Sequence, residues 1–222
     1  MTKRRVGILI SGRGSNLAAL VAAARAPDYP AEVALVVSNR PDAAGLAYAA
    51  EHGVPIEVVD HKAFATKAEF EARLQRVLSA AAIELVCLAG FMRLLSAEFV
   101  TQWQDRIINI HPALLPAFRG LDTHRRALAA GVLIHGASVH FVRAETDAGP
   151  IIAQAAVPVL PDDDAKRLAA RVLKAEHRVY PMALGLVASG AASVIGERVL
   201  FDGRIAPDPN AALFSPAAGE AD

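Results

Sequence analysis

A short segment in the middle of the chain carries residue types suited to acyl transfer. Asn109 and His111 lie two apart in Asn-Ile-His-Pro, at the predicted carboxyl end of a strand. Residues two apart on a strand point to the same face, so both side chains can act on one ligand. An amide can donate to a developing oxyanion, and an imidazole can exchange a proton near neutral pH. From the spacing alone, a pair that only hydrogen-bonds loop backbone is an equally good interpretation.

A carboxylate that could support this histidine lies further along the chain. It belongs to Asp147-Ala148-Gly149-Pro150, in a predicted tight connection whose Gly-Pro pair restricts the backbone. A carboxylate beside a histidine orients the ring and stabilises its protonated form. The alternative is an Asx turn, in which Asp147 bonds its own backbone. Only closeness to His111 would favour the functional interpretation.

The loop SGRGSN, residues 11–16, joins the first predicted strand to the first predicted helix. Amides at a helix start point outward and favour an anion, and glycines allow its close approach. A dinucleotide-binding loop would need glycine where Leu17 stands and an acid where Ser38 and Asn39 stand. A nucleoside-triphosphate loop would need Gly-Lys-Ser/Thr, which does not follow. A phosphate monoester fits best, although a glycine turn without a ligand is about as good from this loop alone.

Short apolar runs alternate with helical patterns over the first half of the chain. Strands buried on both faces form parallel sheets that helices cover. The runs 138–142 and 151–159 are too close for a crossover helix, so we predict that they pair antiparallel. The predicted fold is α/β, a Rossmann-like, mostly parallel sheet flanked by helices, with antiparallel strands added in the C-terminal half. We predict further strands at 6–10, 33–38, 56–59, 85–89, 107–110, 194–195 and 199–201. We predict helices at 17–25, 43–52, 67–82, 97–103, 123–130 and 163–189. Thr123 would cap the fifth of these helices and Gly131 would end it, and an acidic cluster would begin the sixth.

Composition excludes several classes of protein. The chain has 222 residues, with 23 basic and 23 acidic side chains, and this zero net charge argues against coating nucleic acid or membrane. The 54% hydrophobic content excludes a disordered chain, and one cysteine, Cys87, excludes a disulfide framework. No apolar run reaches the ~18 residues of a membrane span. We expect one domain, 1–222, with a loose tail from about 207, working in the cytoplasm without a metal.

Taken in order, several segments resemble one known family, the folate-dependent phosphoribosylglycinamide formyltransferases of purine synthesis. The resemblance runs from Val6 to about Gly203. The Asn-x-His-Pro and Asp-x-Gly-Pro segments are shared by folate-linked formyl transferases generally, and SGxGSN is more specific to the ribonucleotide enzymes. The matching segments are SGRGSN at 11–16, LAGFMR at 88–93, NIHPALLP at 109–116, DAGP at 147–150, and EH and YP at 176–177 and 180–181.

The resemblance implies an activity and a set of site residues. The enzyme would transfer the formyl group of 10-formyltetrahydrofolate, its co-substrate, to the glycine amine of phosphoribosylglycinamide. Residues 92–95 would line the pteridine pocket, the backbone of 143–147 would form its other wall, and Lys67 would meet the folate tail. The implied catalytic residues are Asn109, His111 and Asp147. The residues implied for the ribonucleotide are Gly14, Ser15 and Asn16 at the phosphate and Glu176 at the ribose. The residues implied for folate are Lys67, Met92, Arg93, Leu94, Leu95, Asn109, Arg143, Ala144, Glu145, Thr146 and Asp147.

The chain departs from the family pattern at two positions. Ala113 stands where serine is usual, and Lys67 replaces a frequent arginine, which keeps the charge but loses the fork geometry. Three alternatives stay open: methionyl-tRNA formyltransferase and formyltetrahydrofolate hydrolase, which carry an additional domain, and a nucleotide sensor without catalysis. We expect small-molecule substrates, no nucleic acid and no membrane, with a monomer and a homodimer both possible.

Overall fold

The computed structural model describes residues 2–203, 205, 211 and 213–215. Within this part of the chain it places nine strands, six α-helices and a short 3-10 helix at His61–Ala63. The strands are β1 (Arg4–Ile10), β2 (Ala31–Ser38), β3 (Ile56–Val58), β4 (Leu85–Leu88), β5 (Ile107–His111), β6 (Ile134–Phe141), β7 (Ile151–Pro158), β8 (Ala192–Ile195) and β9 (Arg198–Phe201). The α-helices are α1 (Ser15–Ala24), α2 (Ala44–Glu51), α3 (Lys67–Ala80), α4 (Ala97–Gln102), α5 (Thr123–Ala129) and α6 (Ala165–Ala188).

Seven strands form one sheet in the order β3-β2-β1-β4-β5-β6-β7. The first five are parallel, β6 pairs antiparallel with β5 and β7, and β8 and β9 form a separate antiparallel hairpin. The predicted fold class is therefore confirmed, including the antiparallel strands of the second half. Because β4 runs parallel to β5, the loop after β4 lies at the carboxyl end of β5. β6 runs antiparallel, so its last residue, Phe141, pairs with Ile108 near the start of β5, and the loop after β6 leaves from there.

The sheet separates two hydrophobic cores. Ile8 and Ile10 of β1 pack in the core under α1 and α6, whereas Leu9 faces the core under α3 and α4. This alternation follows from the two-residue period of a strand, and it explains why β1 reads as a continuous apolar run. The two covered faces leave the strand ends and their loops to form a site.

Side-chain caps begin three of the six α-helices, and one predicted cap was wrong. Thr66 and Glu69 form a capping box at α3, and the carboxylate of Asp164 accepts from the amide of Arg167 at α6. Thr123, however, is the first residue of α5 and not its cap. The cap position belongs to Asp122, which has a left-handed backbone (φ 57°) and directs its carboxylate to the guanidinium of Arg125, 2.5 Å away.

The acidic cluster before α6 is structural. Besides the cap, the carboxylates of Asp162 and Asp163 bind Arg167 and Arg171 at 2.9 and 2.6 Å. The predicted loose tail from about 207 falls mostly outside the described residues. Among the helices that the structure describes, none combines the length and apolarity that crossing a membrane requires.

Candidate active site

The end of β5 brings the predicted catalytic residues together. Nδ1 of His111, the last residue of β5, lies 3.3 Å from Oδ2 of Asp147, and the two side chains are only 7% and 10% exposed. Asp147 has a left-handed backbone (φ 53°), and its Oδ2 accepts from the amide of Gly120, 2.9 Å away. This contact, between residues 36 positions apart (147 − 111), is the closeness that the functional interpretation of Asp147 needs.

The loop that carries Asp147 is held by a close backbone approach. A side chain at Gly149 would place its Cβ 1.8 Å from the carbonyl oxygen of Phe141, so only glycine fits. The amide of Phe141 also donates to the carbonyl of Pro150 at 2.9 Å. The Gly-Pro pair therefore packs the base of the loop against the end of β6. This packing fixes the position of Asp147 over β5.

Both ring nitrogens of His111 face an acceptor. Nε2 lies 2.9 Å from the carbonyl oxygen of Phe118, in the loop between β5 and α5, while Nδ1 faces the Asp147 carboxylate. Only the doubly protonated ring can donate to both acceptors at once. The geometry therefore suits an imidazolium whose charge lies beside a buried carboxylate.

His140 holds the amide of Asn109, a role that the sequence did not reveal. The two residues are paired across β5 and β6, and Nδ2 of Asn109 lies 3.2 Å from Nε2 of His140. Nδ1 of His140 lies 2.9 Å from the carbonyl of Phe141, so Nδ1 donates and Nε2 accepts from Asn109. Burial lowers the pKa of His140, which favours this neutral form. One N–H of Asn109 is thus committed to His140, and the second can serve a ligand. From the sequence alone, a residue of the site wall and a hydrogen-bonded core histidine are equally good interpretations of His140.

Two further histidines, His124 and His135, lie close to His111. The rings of His124 and His135 meet edge to face with centroids 5.3 Å apart. His135 is only 1% exposed, and burial, reinforced by His124, lowers its pKa to about 4. Nδ1 of His124 and Nε2 of His135 are buried without a hydrogen-bond partner. Burial also lowers the pKa of His124, so both rings favour the neutral form.

The phosphate-loop residues lie at the start of α1. Gly14 adopts φ 77° at the cap position, and Ser15 begins the helix. The amide of Gly45, in α2, donates to the carbonyl of Gly12 at 3.0 Å, and a Cβ on Gly14 would lie 2.9 Å from the Cα of Gly45. This backbone packing leaves no room for a side chain at Gly14 and little at Gly45, and the helix start stays open to an anion.

Asn16 and Glu176, predicted to bind the ribonucleotide, contact each other. Nδ2 of Asn16 donates to a carboxylate oxygen of Glu176 at 2.7 Å, although 160 residues separate them. Burial raises the pKa of Glu176. Oδ1 of Asn16 is buried without a partner, so it can accept from a ligand hydroxyl or amine.

The predicted folate residues form two loops flanking Asn109. Met92 and Leu94 follow β4 and are 73% and 71% exposed, an unusual degree for large apolar side chains. Ala144, Glu145 and Thr146 are exposed in the loop after β6. The exposed apolar side chains of the first loop suit one face of a flat heterocycle, and the exposed backbone of the second suits its polar edge.

Three charged residues of the predicted folate set are engaged elsewhere. The guanidinium of Arg93 lies 5.4 Å from the ring centre of Phe70, and that of Arg143 donates to Asp105 at 2.8 Å. Nζ of Lys67 lies 3.9 Å from the carboxylate of Glu71, and Leu95 packs against the core under α3 and α4. Arg143 can therefore contribute its backbone to the wall while its side chain points to Asp105.

Over the described residues, no group of three or more His, Cys, Asp or Glu side chains is placed to hold a metal ion.

The chain is similar to known proteins over most of its length. The chain is 50% identical over 192 residues to the trifunctional purine biosynthetic protein adenosine-3 of Gallus gallus, covering 86% of the chain but 19% of that protein. The chain thus spans about a fifth of the length of that relative. It is 36% identical to phosphoribosylglycinamide formyltransferase of Haemophilus influenzae, covering 92% of the chain and 96% of that protein.

A solved structure and the sequence model of a protein family also match this chain. Glycinamide ribonucleotide transformylase 1 of Symbiobacterium toebii superimposes with a TM-score of 0.87 at 47% identity, covering 90% of this chain and 94% of that one. The sequence model of the formyl transferase family matches residues 4–184, which include β1 through most of α6 and every predicted site residue. The chain therefore belongs to the formyl transferase family.

Proposed function

We propose that this protein transfers the formyl group of 10-formyltetrahydrofolate to the glycine amine of phosphoribosylglycinamide, a step of purine synthesis. The observation that carries this proposal is the buried contact between His111 and Asp147, 3.3 Å apart, beside Asn109. These groups suit the stabilisation of an oxyanion and the movement of a proton, which acyl transfer to an amine requires.

The residues around this centre fit the two proposed substrates. The start of α1 offers backbone amides to a phosphate, and the unpartnered Oδ1 of Asn16 offers an acceptor to the sugar or glycinamide. The exposed side chains of Met92 and Leu94 fit the apolar face of a pteridine, and the backbone of 143–147 fits its polar edge. We propose that Lys67 reaches the folate tail by leaving its long contact with Glu71.

The proposed reaction needs no covalent enzyme intermediate, because the amine is itself a good nucleophile. The amine nitrogen attacks the formyl carbon, a C–N bond forms, and the carbonyl oxygen becomes an oxyanion. The bond from that carbon to N10 of the folate then breaks, the amine loses one proton, and N10 gains one. Holding both substrates together contributes by proximity. Asp147 supports the positive charge of His111 and helps move the proton, directly or through water.

Asn109 and His111 stabilise the oxyanion in different ways. Asn109 can offer its second N–H, since the first is used by His140. Nε2 of His111 is engaged by the carbonyl of Phe118, so the ring acts on the oxyanion through its charge while that bond is in place. Direct donation from Nε2 would require the loop carrying Phe118 to move.

We also propose that the protein works on small molecules in the cytoplasm, without nucleic acid, membrane or metal. Its zero net charge supports the absence of a polyanionic partner. We expect a monomer or a homodimer, and we expect the chain to act as a single domain.

The proposal is tested by measuring tetrahydrofolate formation by the purified full-length chain. Three reactions are compared: complete, without phosphoribosylglycinamide, and with formylatable initiator methionyl-tRNA in its place. We expect product only in the complete reaction. Product without an acceptor would indicate a hydrolase, product with the tRNA would indicate the tRNA enzyme, and no product in any reaction would favour a sensor; each of these outcomes would overturn the proposal.

A further inference from the structure

One serine hydroxyl joins the two loops that would hold the two substrates. We propose that Ser11, oriented by Asn39, is a positioning residue that fixes the phosphate loop (residues 11–16) relative to the pteridine segment (residues 92–95). This inference rests on the proposed function, because it assigns a role in binding both proposed substrates.

The hydrogen bonds of Ser11 reach both loops. Its Oγ accepts from the amide of Met92 at 2.8 Å and donates to Oδ1 of Asn39 at 2.5 Å. Its own amide lies 3.2 Å from the carbonyl of Gly90. The first residue of the phosphate loop is therefore bonded, through side chain and backbone, to the segment that leads into the pteridine wall.

Asn39 orients this hydroxyl from the end of β2. Its amide lies 3.4 Å from the carbonyl of Ile10, and its side-chain Nδ2 lies 3.1 Å from Nδ1 of His61. The same ring nitrogen lies 2.9 Å from the carbonyl of Asn39. One ring nitrogen cannot serve both contacts at once; when Nδ1 of His61 is unprotonated it accepts from Nδ2, which leaves Oδ1 facing Ser11. At this strand end a dinucleotide-binding protein would carry an acid for a ribose; here an amide orients the serine.

Burial makes the bonds of Ser11 hard to replace with water. Ser11 is 6% exposed and Asn39 is 3% exposed. Removing the Ser11 hydroxyl would leave both the Met92 amide and Oδ1 of Asn39 without this partner. Buried polar groups that lose a partner drive local rearrangement, and here the rearrangement would separate the two loops.

The test compares Ser11→Ala with wild type in the full-length chain, measuring KM for each substrate and kcat at a temperature where both are folded. We expect KM for the ribonucleotide and KM for the folate to rise together, each about five- to twentyfold, with kcat within about threefold. Ser193→Ala, at an exposed serine of β8, is the matched control and should leave all three parameters unchanged.

A second variant keeps the test independent of the folding of the first. Asn39→Ala removes the acceptor from outside both loops and should raise the same two KM values, and the double variant should be no worse than the poorer single one. A rise in only one KM, or unchanged KM values with a lowered melting temperature, would overturn the proposal and leave Ser11 a merely structural residue. Failure of the proposed function would show separately, as a wild-type protein without formyl transfer.

Discussion

Asp147→Asn tests how much of the proposed catalysis depends on the buried carboxylate. The substitution keeps the size of the side chain, and an asparagine Oδ1 can still accept from the amide of Gly120, which Asp147 now binds at 2.9 Å. It removes the negative charge that lies 3.3 Å from Nδ1 of His111. The loop should keep its position, while the charged form of the imidazole loses its support.

The size of the effect follows from the kind of bond that is lost. The contact that is lost is an ion pair between two nearly buried groups; charge-assisted contacts contribute about 1.5–3 kcal/mol, and each 1.36 kcal/mol is tenfold in rate. Since this charge matters most as the oxyanion develops, we expect kcat to fall about 100-fold. KM for the ribonucleotide should stay within about threefold, because the proposed phosphate and ribose contacts lie elsewhere.

Steady-state kinetics on the purified variant measure both quantities. Asp122→Asn is a matched control, because Asp122 has nearly the same left-handed backbone, φ 57° against 53°, but a side chain that is 62% exposed. The control should retain wild-type kcat, which separates the loss of charge from any backbone effect. A kcat for Asp147→Asn within about threefold of wild type would refute the role assigned to Asp147.

Three further predictions concern stability and the phosphate loop. The folded-state pKa of His135, about 4, lies below its ordinary 6.5, so the unfolded chain binds more protons between these values. The contribution of neutral His135 to the free energy of unfolding is complete above pH 6.5 and is lost as the pH falls toward 4. Urea unfolding should therefore show the free energy of unfolding falling by on the order of 2–3 kcal/mol over this range. His135→Phe should flatten this pH dependence. Gly45→Ala should raise KM for the ribonucleotide about three- to tenfold, since its Cβ would lie 2.7 Å from Cδ1 of Ile10 and 3.2 Å from the Cα of Gly14. Gly185→Ala, whose nearest neighbour is 3.5 Å away, should behave as wild type in the same assay. The hydroxyl of Tyr180 lies within 3.1 Å of carbonyls in β4 and β5, so Tyr180→Phe should lower the free energy of unfolding by about 1–2 kcal/mol, and an unchanged urea midpoint would contradict this.

The arrangement of the sheet could be predicted from the sequence because it depends on short-range patterns. Apolar runs such as β1 and β4 are buried on both faces, and that burial leaves a signal in consecutive residues. The placement of Asn109 and His111 at the end of β5 followed from the same reasoning. These predictions need only the period of a strand and the place where ligands bind in such sheets.

Contacts between distant segments could not be predicted in this way. The pairing of Asn16 with Glu176 depends on where whole helices pack. The contact of His111 with the carbonyl of Phe118 is closer in sequence, but it depends on the irregular path of the loop after β5. The cap of α5 was missed for a local reason, since the carboxylate of Asp122 binds Arg125 in place of helix amides. The contact of His140 with Asn109 could have been inferred only from the register of β5 and β6, which pairs these two residues. Sequence patterns define such a register poorly.

The central claim is that the site passes a formyl group from folate directly to the amine of the ribonucleotide. The most direct measurement follows the label from 10-formyltetrahydrofolate carrying ¹⁴C in its formyl group, incubated with the full-length chain and phosphoribosylglycinamide. We predict that the label appears in the ribonucleotide, one equivalent for each tetrahydrofolate formed. Label recovered as free formate, with the ribonucleotide unlabelled, would contradict it.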